Sequence, residues 1–248
     1  MIENLPKAIS VLFGLTTLAT LLIFYRAVKN SSSSFIRSKA ARVLAGLMIW
    51  LLIQALITGY GVYKASTTSM PPKILLMGVL PTVVIITLLF VTRKGHQFID
   101  SLPLTTMTYL HVVRVAVELI FIALLTHKAI PQLMTFEGRN FDILTGSTAP
   151  FIAYWGLAKG RLSQPVILLW NGVGLALLIN IVVNALLSTP SPIQRFAFDQ
   201  PNWAILYFPF SWLPTFIVPI VLFGHLTAIR RLINKGRAAI STPHLVAE

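Results

Sequence analysis

Apolar residues fall in runs of about 20, the length that carries a helix across a bilayer. Seven such runs are predicted, at residues 8–28, 41–63, 74–92, 104–127, 143–158, 165–188 and 203–229. The fifth is short and begins with polar residues. The predicted fold is all-α: a polytopic integral membrane protein, a seven-transmembrane-helix bundle forming one membrane domain over residues 1–248. A short cytoplasmic tail is predicted at 234–248. Residues 1–7 lead straight into the first run with no small-residue cleavage site, so that run reads as a permanent span.

Composition agrees with the pattern. The chain has 248 residues, 56% of them apolar and 11% charged, with a mean hydropathy of +0.79. A soluble domain carries about 25% charged residues. Cysteine is absent, which excludes disulfides, thiolate ligands and cysteine nucleophiles.

The net charge of +13 does not point to nucleic acid, because the basic residues are scattered between apolar runs and form no groove. They alternate in density instead. Thirteen Lys and Arg follow spans one, three, five and seven, whereas the opposite side holds six: Lys7, Lys64, Lys73, Lys128, Arg139 and Arg195. By the positive-inside rule the N-terminus lies outside and the C-terminus in the cytoplasm. The expected setting is a bacterial inner (plasma) membrane, with anionic lipid attracting the basic side.

The fourth run carries three ionisable residues, His111, Arg114 and Glu118. Each centrally placed acid or Arg opposes insertion by roughly 2.5–3.5 kcal/mol, so such groups face a bundle interior or a wet cavity. Their i, i+3, i+7 spacing sets them on one stripe within about 60° and about 10 Å long. Arg114 and Glu118 are i, i+4 neighbours and are expected to pair. One reading of the stripe is structural, a self-neutralising pair with His111 bonded to a neighbouring helix. The other is functional.

Further polar residues gather in the predicted outer half: Gln54 and Thr58, Asp142, Thr145, Ser147 and Thr148, Asn180 and Asn184, and Trp203 with Tyr207. They suggest a vestibule opening outward, floored by Arg114 and Glu118 and covered by the loop 137–142. The alternative is hydrogen bonding between helices. The small-residue stretch 145–150 reads either as tight packing or as a broken helix exposing backbone dipoles. Ser191, Pro192 and Gln194 have the form of a helix start, with a plain loop as the alternative. Leu80-Pro81-Thr82 and Leu213-Pro214-Thr215 recur at matching distances before Leu-Phe pairs, a similarity that chance also supplies.

Span seven has no lysine for a retinal Schiff base, and phosphate-loop, zincin, nucleophile-elbow and potassium-filter motifs are missing. His111 and His225 lie at depths differing by about 5 Å, so a bis-histidine haem is a minor alternative if their helices adjoin. No other cofactor is expected.

The leading functional expectation is transporter- or channel-like binding or passage of a small polar or anionic solute. Arg114 would supply the fixed positive site, Glu118 would balance it or exchange a proton, and His111 would link the floor toward the cytoplasm. Asn180, Asn184, Thr145, Thr148, Asp142 and Tyr207 would orient the solute. A receptor-like sensor, or a subunit working with a homo-oligomer or other membrane partner, is the second reading. A haem protein or other membrane enzyme ranks last, since no nucleophile–base or metal set is visible.

Overall fold

The computed structural model describes residues 5–241; residues 1–4 and the end of the expected tail, 242–248, lie outside the described residues. Every regular element among them is helical. Five stretches are long and apolar enough to cross a membrane: Lys7–Lys29, Ala40–Gly59, Leu104–Thr126, Gln164–Ser188 and Leu213–Asn234. A sixth is added if the bent pair Leu75–Val91 and Arg93–Ser101 counts as one.

Helix α1 (Lys7–Lys29) is followed by a single turn, α2 (Ser34–Arg37), and by α3 (Ala40–Gly59). A π turn at Leu75–Val79 leads into α4 (Leu80–Val91). The chain then turns by 92° into α5 (Arg93–Ser101), where a loop was expected. Two features build that elbow. The Thr92 hydroxyl caps α5 by accepting from Gly95 N–H at 3.1 Å. Gly95 lets the two helices meet, since a Cβ there would sit 2.5 Å from Leu89 Cα.

The predicted fourth span is α6 (Leu104–Tyr109) and α7 (Val113–Thr126), joined through a tightened turn at Leu110–Val112. The fifth is α8 (Asp142–Phe151), continued by π-helix over Ile152–Ala158. Gly146 brings α8 onto α7: a Cβ there would lie 3.1 Å from that of Arg114. The small-residue stretch is therefore packing, and the helix continues through Pro150. Helix α9 (Gln164–Ser188) follows.

The last helix is displaced from its predicted span of 203–229. Residues 203–212 form an irregular strap with one turn at Ala204–Leu206, and helix begins at Leu213 as a π turn before α10 (Val218–Ser241). Pro209 is one reason, because it lacks the N–H that a helix there would need. The strap is buried instead through Ile205 and Phe210. Helix α10 also takes in the first residues of the expected tail, and Ser191–Gln194 is a turn closed by Gln194 N–H to Ser191 O at 3.0 Å.

Helices α6, α7 and α10 occupy the middle of the bundle. Helix α1 packs on α6 and α7, α8 packs on α7, and α9 packs on α10.

Candidate functional site

Helix α7 delivers its charged stripe to the interior. His111, Arg114 and Glu118 are each no more than 4% exposed. Arg114 does not bond Glu118. Its Nε lies 3.2 Å from Asp142 Oδ2, and its Nη2 donates to the Gly174 carbonyl at 3.3 Å. Helical geometry explains the choice. Side chains lean toward the helix N-terminus, so Arg114 leads away from Glu118 and toward the level of His111.

Glu118 is engaged elsewhere. Its Oε1 accepts from Phe136 N–H at 2.5 Å and its Oε2 from Asn140 Nδ2 at 2.6 Å. It therefore anchors the connection between α7 and α8, where Asn140 Oδ1 also accepts from Asp142 N–H at 3.1 Å. Asn180 holds the same connection by donating to Arg139 O at 2.7 Å, and Asn184 donates back to Asn180. The loop expected to cover the site is thus tied down by two predicted polar residues, Glu118 and Asn180.

A cavity of about 130 Å³ lies beside Arg114. Arg114, Asn140 and Asp142 give it one polar end. The rest of its lining is mostly apolar and includes Phe121, Leu178 and Ile217, with Thr189 and Ser191 as further polar residues. Among the described residues, Arg114 Nη1 and Asp142 Oδ1 are buried with no hydrogen-bond partner. Buried polar atoms are normally satisfied, so two orphans on residues that also line the cavity make this the polar spot left unsatisfied beside it. The cavity approaches in size the ~150 Å³ apolar voids that accept benzene.

Behind the arginine sits a histidine pair. The rings of His111 and His225 stack with centroids 3.9 Å apart and planes 26° from parallel. Trp170 meets both rings, at 5.6 and 5.7 Å. Asn171 Nδ2 donates to Ile167 O at 2.9 Å, so its Oδ1 accepts from His225 Nδ1–H at 3.0 Å. His225 Nε2 and His111 Nδ1 are left unpartnered among the described residues. The stack needs Gly174, whose Cβ would lie 2.6 Å from His225 Cε1. Bis-histidine haem ligation requires rings end-on to opposite faces of a macrocycle; face-to-face rings at 3.9 Å leave no room for one. Among the described residues no cluster of three or more His, Asp or Glu could hold a metal ion.

Of the predicted site residues, the structure brings Arg114 and Asp142 to the cavity wall and sets His111 beside His225. Thr145 is buried against Gly174. Thr148 is exposed and accepts from Trp170 Nε1 at 2.9 Å. Tyr207 lies in the strap under Lys64, 5.4 Å from ring to ammonium. Sequence reasoning missed Asn140 as a wall residue, and Asn171 and Gly174 altogether. Asn171 left a signal, being an amide in the first third of an apolar run, on the opposite half from Asn180 and Asn184.

Residues 71–233 match a family described as a domain of unknown function (DUF8737), and the chain belongs to that family. The matched stretch takes in the cavity's polar end and both histidines. No curated protein and no solved structure matches the chain.

Proposed function

We propose that the protein is a transporter- or channel-like membrane protein that binds a small acid-bearing solute at Arg114. In this reading it has seven spans, the N-terminus outside and the C-terminus in the cytoplasm of a bacterial inner membrane. The two spans beyond the five clear ones are short. One is a π turn of 5 residues continued by 12 of α-helix, and the other is 10 residues of α-helix continued by 7 of π-helix. Both stand at the lower limit of about 17 residues for crossing a bilayer.

One observation carries the reading: Arg114, 4% exposed and with a buried unpartnered N–H, is among the residues that line a cavity between apolar helices. A carboxylate or carbonyl oxygen would satisfy that donor, and a charge-assisted bond to Arg is among the stronger ones available. The apolar walls favour a short hydrocarbon body behind the acidic head. This narrows the expected solute from simply polar to amphipathic. Asp142 keeps the empty site neutral, while both amide hydrogens of Asn140 are committed to Glu118 and Met134 O.

Radiolabelled hexanoate tests the proposal, through binding to purified protein and uptake into proteoliposomes. Arg114→Gln combined with Asp142→Asn removes both charges without stranding either. Hexanoate binding should fall at least about tenfold, the loss of one charge-assisted bond, while the protein still inserts. Undiminished binding by the inserted double variant would refute the site. Binding without uptake would make the protein a receptor-like sensor using the same pocket.

A further inference from the structure

On the far side of the bundle, α3 packs on α1, and α4 packs on α5 and α10. Between α3 and α4 runs a groove of about 1320 Å³. Its floor is aromatic and aliphatic, from Phe24 of α1 and Phe216, Ile220 and Phe223 along the last helix. Its sides include Val43, Leu47, Ile85 and Leu89. Helix α4 has no buried residue, so this space opens sideways through apolar walls.

The charged residues of the groove lie at one end. There α5 crosses it at 92° to α4, and Ser32, Ser33, Lys39, Lys94 and Gln97 join the lining. Helix α5 is amphipathic, burying Gly95 and Ile99 while exposing Lys94 and Gln97, the form of a helix lying in a membrane interface. Asp100 is the one acid on this lining, and Arg230 lies 3.4 Å from it. The mouth is left with a positive balance from Lys39 and Lys94. Both lysines fall on the side that carries the larger share of basic residues, which faces the anionic leaflet under the positive-inside rule.

From this arrangement we propose that the α3–α4 groove binds an anionic phospholipid. The acyl chains lie along α3 and α4, and the phosphate sits at Lys39 and Lys94 under α5. The volume exceeds the roughly 300–1,000 Å³ of ordinary small-molecule pockets. Lateral opening admits a chain directly from the bilayer, and lysine ammoniums serve as point-charge phosphate binders. This site is separate from the Arg114 cavity and does not depend on it.

The full chain, reconstituted in phosphatidylcholine vesicles doped with spin-labelled phosphatidylglycerol or spin-labelled phosphatidylcholine, provides the test. The intact protein should immobilise phosphatidylglycerol in preference to phosphatidylcholine. Lys39→Gln with Lys94→Gln should reduce that preference roughly tenfold. Arg195→Gln, an exposed charge elsewhere, should leave it unchanged. Gly46→Phe fills the groove where an added Cβ meets nothing within 4 Å, and should displace both lipids. An unaltered preference in the lysine double variant overturns the proposal. So does efficient disulfide formation between two copies through a cysteine placed at Ile85, which would show a second copy covering the groove; the natural chain has no cysteine to confuse that result.

Discussion

Two helices of nearly equal hydropathy lead opposite lives in this protein. The stretch Leu104–Thr126 has a mean hydropathy of 1.9 and is 56% buried, whereas Ala40–Gly59 has 2.0 and is 17% buried. In water, that much apolar surface on α3 would drive it into a core. In a bilayer, lipid tails are as apolar as leucine and exert no such pull. Hydropathy therefore says that a helix sits in lipid and is silent on whether it touches protein. Polar groups separate the two cases, because only a protein interior can satisfy them. The central helix carries His111, Arg114 and Glu118; the buried polar groups of α3 are Gln54 and Thr58 near its end.

The sharpest break in that comparison comes from Arg114. Arg114→Ala strands Asp142 in the interior and should cost about 3–5 kcal/mol of stability. Reversible unfolding in mixed micelles reads the loss, and adding Asp142→Ala should restore part of it. A single variant as stable as the parent would show that the ion pair carries no weight in the centre.

Apolar truncation sharpens the contrast further. Leu110→Ala, at a site fully shielded on the central helix, should cost about 2–4 kcal/mol through the cavity it leaves. Gly174→Ala should come next, at about 1–3 kcal/mol, from overpacking against His225. The combination with His225→Ala should relieve part of it, the contact with Thr145 remaining, which a thermal melt followed by tryptophan fluorescence would show. The smallest effect belongs to Leu52→Ala on α3. Its side chain is 58% exposed, and the change should stay within about 0.5 kcal/mol. Equal losses at Leu110 and Leu52 would abolish the distinction between the two halves.

Much of the bundle's centre is legible in the sequence. The i, i+3, i+7 spacing put three ionisable groups on one face, and their desolvation requires that face to be inward. The partners were not legible. Arg114 had an acid four residues away in sequence, yet bonds Asp142, which becomes near only when Gly146 draws α8 onto α7. The stacked histidines depend in the same way on Gly174, a residue with no side chain to attract notice. At the edge of the bundle, residues 93–101 read as a basic loop. Their amphipathic pattern, with Thr92 to cap it and Gly95 to turn it, could have shown α5.

Composition and run length alone determined that this chain is a helical membrane protein, because a bilayer accepts few other backbones. Residue spacing alone singled out the interior face of α7. Which carboxylate meets the guanidinium, which atoms stay unpaired, and where α3 and α4 part were decided only by the packed bundle. Those outcomes turn on contacts between distant segments, at a range where one missing Cβ decides which helices meet.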